Sequence, residues 1–210
     1  MQTTRGTSLT ESESSAEGAR PPTQASTRRI ALLGAVAVTV IVVDLLTKLA
    51  VVGRMSMYET RDVVGSLLRI TYTRNAGAAF SFGEGMTAVF GLVAIAVVIA
   101  IVRTARSLRS LTWAITLGLL LGGALGNLGD RVFRSPGFLR GHVVDWIQLP
   151  HWPVFNLADS AIVCGGVLAV LLSWRGIAVD GSHEKRHGLH ADAGHQPADH
   201  EHGPAEAVEQ

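Results

Sequence analysis

Two aspartates, Asp145 and Asp159, stand fourteen residues apart in the stretch GHVVDWIQLPHWPVFNLADS. One follows the apolar pair Val143 and Val144, and the other opens a long hydrophobic run. Carboxylates are expensive at a membrane boundary or in a core unless something stabilises them. Pro150 and Pro153 block a continuous helix between the two, so the link must turn. A turn would return the chain and let the carboxyls meet. Two carboxyls held close share a proton, because both cannot ionise easily. Such a pair is the chemistry of an aspartic peptidase, with one group as base on a water and the other as acid toward the scissile carbonyl. Taken singly, Asp159 also suits the positive end of a helix dipole.

Other chemistries are poorly supplied. The chain has no His-Glu-x-x-His run for zinc and no Gly-x-Ser-x-Gly elbow. His142 and His151 are the histidines outside the C-terminal segment, where the remainder cluster and a weak metal tract or a solvated tail is expected. The lone cysteine, Cys164, permits no intramolecular disulfide. Neither a metal nor a cofactor is expected. A net charge of +1 argues against a nucleic-acid binder, which would carry a concentrated basic stripe.

Four apolar runs must position these groups. They cover residues 30–52, 86–102, 111–128 and 157–174. The first holds about 23 residues, enough to cross a hydrocarbon core of roughly 30 Å. None has a polar face wide enough for a soluble bundle. A cleavable signal peptide is excluded for the first run by its length and by the lack of a small-residue cleavage site. Residues 1–29 and 176–210 lack apolar periodicity and are expected to be disordered cytoplasmic tails, the second rich in histidine, flanking a 30–175 membrane domain. Arg103, Arg106 and Arg109 crowd the short link between the second and third runs, with Arg28, Arg29 and Arg175 on the same side. By the positive-inside rule that side, with both termini, is cytoplasmic. In the long outer loop, LLRITYTRN alternates with period two and predicts a strand, hence a small sheet at the membrane surface. The aromatic-rich WIQLPHWPVF predicts an interfacial hairpin.

Polar residues inside the spans are the next candidates. Asp44 and Lys48 share a helix face at a spacing of four, either as an ion pair fixing the span's depth or as part of a site. Gly123, Asn127 and Arg131 also step by four. They form either a close-approach stripe with donors at its end, or a packing face with Arg131 snorkelling to lipid phosphate. Asp130 could pair locally. Asn75 begins NAGAAF, whose small residues permit tight turns.

Taken together, DLLTK, NAGAAFSF, GGALGNLGDR, GHVVDW and FNLADS, in this order around four spans, closely resemble bacterial lipoprotein signal peptidase, also called signal peptidase II. The resemblance covers about residues 30–175. It implies a mainly α membrane fold: four transmembrane helices, a small extracytoplasmic β-cradle and a short periplasmic helical segment. It also implies an aspartic endopeptidase of the inner membrane that removes the signal peptide from prolipoproteins just before a diacylglyceryl-cysteine, working among membrane lipids, with a monomer expected. The catalytic pair would be Asp145 and Asp159, with Asp44, Lys48, Asn75, Gly123, Asn127, Arg131 and Asn156 supporting the site and positioning substrate. The tails and the long FRSPGFLR stretch depart from the pattern. The rival reading is a small proton- or ion-coupled carrier using the same acids, and such sites lie near the bilayer midplane. A third is a scaffold packed through GGALG, which leaves two neighbouring acids without a reason.

Overall fold

The computed structural model of the protein describes residues 24–77 and 87–182. Its elements run α1 (Gln24–Arg54), β1 (Thr60–Val64), β2 (Leu68–Asn75), α2 (Thr87–Thr104), a single 3-10 turn (Ala105–Ser107), α3 (Leu111–Phe133), β3 (Val143–Gln148) and α4 (Leu157–Trp174). All four α-helices are long and apolar enough to cross a membrane. Large apolar residues such as Val38, Leu46, Leu92, Val163 and Val170 are exposed on the bundle's outside, as a lipid-facing surface requires.

α3 is the central helix, packed against each of the other three. Its glycines explain why. A Cβ at Gly122 would stand 2.7 Å from Val40 Cβ and 2.8 Å from the Ala37 carbonyl of α1. At Gly123 it would stand 2.5 Å from the Ala158 carbonyl and 2.7 Å from Ile162 of α4. Lipid tails are as apolar as leucine, so spans associate through this kind of close backbone approach. The GG pair therefore turns one glycine toward α1 and the next toward α4. This is the packing alternative for Gly123: α4, and no substrate, fills the space above it.

The three strands form one antiparallel sheet in the order β1-β2-β3. The strand expected from LLRITYTRN is β2. β1, exposed along its whole length, joins it through a turn at Gly65. β3 lies where an interfacial hairpin was expected. Its register sets Thr73 opposite Asp145 and Asn75 opposite Val143. The chain then does turn back: the Trp146 and Ile147 amides both donate to the Phe155 carbonyl, at 2.9 and 2.7 Å. Among the described residues there is no short helical segment beside the sheet, and residues 78–86, including the second half of NAGAAF, lie outside them.

Ordered structure extends a few residues past the expected 30–175 domain at each end. α1 begins at Gln24, inside the segment expected to be disordered and two residues after Pro22, and no proline interrupts it from there to Arg54. At the other end, residues 176–182 fold back onto the bundle. Ile177 and Val179 pack on the cluster of Leu33, Leu108 and Trp113. The Trp113 indole donates to the Ile177 carbonyl at 2.8 Å, and the Arg109 amide to that of Val179 at 3.0 Å. Two apolar residues spaced by two are too short a pattern to stand out in a polar composition.

The long stretch after α3 is ordered by its own backbone. The Gly141 amide donates to the Arg131 carbonyl and the His142 amide to that of Ser135, which delivers the chain into β3. The sheet, the C-termini of α1 and α3 and the N-termini of α2 and α4 share one end of the bundle. The short 105–110 link, the start of α1 and residues 176–182 share the other.

Candidate active site

Asn156 organises the site. It is the N-cap of α4 and forms a capping box: its side chain accepts from the Asp159 amide at 2.9 Å, and Asp159 Oδ2 accepts from the Asn156 amide at 3.2 Å. The same Asn156 amide group donates to Asp145 Oδ1 at 2.6 Å and to Asn127 Oδ1 at 3.2 Å. One fully buried side chain thus touches both aspartates, with Asp159 reached through α4's first turn and Asp145 through β3. The helix-cap role of Asp159 and its place in the pair are one geometry.

Asparagines from other elements complete the shell. Asn127 of α3 donates to Asp159 Oδ1 at 2.6 Å. Asn75, at the end of β2, donates to Asp145 Oδ2 at 3.0 Å. Its own oxygen accepts from the Gly77 amide at 2.8 Å, an Asx turn in which Gly77 takes a φ of +102°. Asp145 is 2% exposed. Burial, and then the neighbouring Asp159 carboxylate, push its pKa up to about 7, against the donors Asn75 and Asn156 and the charge of Lys48.

Beneath the pair lies a buried charge network. Lys48 Nζ stands 2.7 Å from Asp44, 2.8 Å from Asp130 and 3.2 Å from Asn127 Oδ1. Arg134 binds the other oxygen of Asp130. Two carboxylates and two cations balance, which is what buried ions need. The Asp44–Lys48 pair is therefore more than a depth marker, since it is built into the floor of the site. Asp130 does pair locally, with Arg134, and it also joins α1, α3 and β3, which nothing in its position beside Arg131 signals. An i, i+4 count from Lys48 could not find it either, because the contact crosses two helices.

Arg131 donates to the Asn127 carbonyl at 3.1 Å. Its Nε is buried without a hydrogen-bond partner among the described residues. The partly buried guanidinium lies within reach of the charges of Asp159, Asp145 and Asp130. Of the nine candidates, eight converge on one buried polar cluster at the sheet end of the bundle. Gly123 joins them indirectly, by letting the first turn of α4 settle against α3. A carrier would place these acids near the midplane. Lys48 instead lies six residues, about 9 Å, from the end of α1.

A sequence profile described as Signal peptidase (SPase) II matches residues 36–175. A protein of Streptomyces coelicolor named lipoprotein signal peptidase is 55% identical over 158 residues, covering 75% of this chain and 78% of that one. Namesakes from Rhodococcus jostii and Mycobacterium tuberculosis are 48% and 44% identical, covering 79% and 82% of this chain and 83% and 85% of their own. Two solved structures, each described as a bacterial membrane enzyme structure obtained in meso, superpose with TM-scores of 0.59 and 0.61 at 33% and 31% identity. They cover 66% and 72% of this chain and 89% and 90% of theirs.

Proposed function

The chain belongs to the signal peptidase II family, and from that premise we propose that it is an aspartic endopeptidase removing signal peptides from prolipoproteins. The cut falls just before a diacylglyceryl-modified cysteine. The observation that carries the aspartic assignment is the bridging of Asp145 and Asp159 by one buried asparagine. With Asp145 raised to about 7, this carboxyl holds the pair's proton at neutral pH and serves as acid toward the scissile carbonyl oxygen. Asp159, its oxygens held by Asn127 and the Asn156 amide, is left as base on the attacking water. The roles then exchange: the tetrahedral intermediate collapses as a proton passes to the amide nitrogen, and the C–N bond breaks. Asn75, Asn127 and Asn156 fix the carboxyl planes. The direct test is incubation of the purified protein with a diacylglyceryl-modified prolipoprotein, with cleavage followed by gel shift. Release of the signal peptide supports the assignment, and an intact substrate with folded protein rejects it.

Arg131 is proposed to position substrate through its unpartnered Nε, whose planar fork can brace a peptide carbonyl. Arg131→Lys keeps the charge and loses the fork. Activity is expected to fall substantially with expression unchanged; near-wild-type turnover would return Arg131 to a snorkelling anchor.

Orientation follows the arginines. The 105–110 link and both termini are assigned to the cytoplasm, and the sheet end with the site to the extracytoplasmic face of the bacterial inner membrane. The enzyme works as a monomer among membrane lipids, and the tail segments 1–29 and 176–210 take no part in catalysis. Ser107 and Ser66 are exposed at opposite ends. A cysteine at position 66 is expected to react with membrane-impermeant thiol reagents in intact cells, and one at 107 to resist them. The inverse pattern would place the active site in the wrong compartment.

A further inference from the structure

We propose that Asp44 and Asp130, joined by Lys48, are positioning residues that set the spacing of the catalytic pair, each by holding the peptide N–H just before one catalytic aspartate. Asp44 Oδ1 accepts from the Ala158 amide at 3.0 Å, one residue before Asp159. Asp130 Oδ2 accepts from the Val144 amide at 3.2 Å, one residue before Asp145. The offset of one residue is the same on both sides, although Asp44 uses one oxygen for the amide and the other for Lys48 while Asp130 uses Oδ2 for both, and the four residues come from α1, α3, α4 and β3. Lys48 binds Oδ2 of both carboxylates through one ammonium, at 2.7 and 2.8 Å. The Val143–Val144 and Leu157–Ala158 peptide planes, one peptide before Asp145 and Asp159, are therefore tied to a single buried cation. Without this tie, their separation would rest on Asn156 and on the link between β3 and α4.

Three further features fit. Asp44 and Lys48 are each 1% exposed and Asp130 is 5% exposed, so none of them is a surface for substrate. A carboxylate accepting from a backbone amide forms a charge-assisted bond, about twice as strong as a neutral one. Room for the clamp is kept at Gly126, where a Cβ would stand 2.9 Å from Asp44 Oδ2. Acid–base catalysis demands carboxyls held close to their productive geometry, and a misplacement of about 1 Å can cost on the order of 100-fold in rate.

The inference rests on Asp145 and Asp159 being the catalytic pair, and the test separates the two claims. Asp44 and Asp130 are each changed to Asn, which keeps a neutral acceptor of similar shape, and to Leu, which keeps the volume and loses the acceptor. The full-length enzyme is assayed on a diacylglyceryl-modified prolipoprotein beside Asp145→Asn. The expected order of kcat is Asp, Asn, Leu, with Asn about tenfold and Leu at least about 100-fold below wild type, and KM unchanged within about threefold. Should the Leu variants not fold, the Asn variants decide alone. Either an unchanged kcat or a loss confined to KM overturns the clamp. An Asn variant as inactive as a folded Leu variant also overturns it, since charge and not the held amide would then matter. Activity in Asp145→Asn would reject the catalytic pair itself, whatever the clamp variants do.

Discussion

Asp145→Asn and Asp159→Asn are each expected to abolish cleavage while the protein still inserts and folds. Asparagine is nearly isosteric with aspartate but can neither take nor give the proton. Positioned acid–base groups typically contribute about 10²–10⁴-fold each. The two losses should not add in the double variant, because a shared proton makes the residues one unit. Chelators should leave the rate unchanged. Sizeable turnover in either amide variant, or loss of the reaction in EDTA with recovery on zinc, would remove the aspartic mechanism.

The same pair fixes a pH dependence. Asp145 keeps its proton below about 7 and loses it above, so activity should decline as pH rises through about 7. Stability follows with a definite sign. Between the ordinary carboxyl value of 3.8 and about 7, the folded state binds a proton that the unfolded chain has already released. Folding stability therefore falls as pH rises across that window. The unfolding temperature of the wild type in detergent should drop from pH 5 to pH 8, and Asp145→Asn should lose that slope. An equal slope in both proteins would mean that Asp145 is not the group held protonated.

How far these features can be read from the residues depends on the range of the interaction that makes them. The four spans are visible because lipid exposure demands apolar residues all round, and β2 because LRITYTRN alternates. Asp145 and Asp159 stand out because acids are costly beside apolar runs, and two prolines show that the chain must turn between them. β3 is harder, because its pattern VVDWIQ is buried on both faces at the start and does not alternate. β1 has no buried face at all, so hydropathy says nothing of it. The packing of residues 177 and 179 against Trp113 depends on a partner 64 residues away. Asp130 is the sharpest case. Beyond its local i, i+4 pair with Arg134, it binds Lys48 and holds Val144, contacts that exist only once α1, α3 and β3 are assembled.

Lys48→Met is expected to be the most damaging change outside the pair. Methionine matches the length and apolar stem of lysine and fills the same space. What it removes is the one ammonium between Asp44 and Asp130. Both carboxylates are buried, and without Lys48 they oppose each other, since Arg134 neutralises only Asp130. Removing one partner of a buried ion pair typically costs about 3–5 kcal/mol, because a charge is left without compensation. Asn127 Oδ1 also loses the Lys48 donor, while its amide still has to face Asp159. The expected result is a markedly lower unfolding temperature in detergent together with a severe loss of cleavage. Adding Asp44→Asn to Lys48→Met should restore much of the stability, because the opposed charge is gone and the acceptor for the Ala158 amide remains. It should not restore the full rate, because no ammonium then ties the two peptide planes together. Wild-type stability in Lys48→Met alone would show that water or lipid headgroups reach these carboxylates, and the network would then be no structural element of the site.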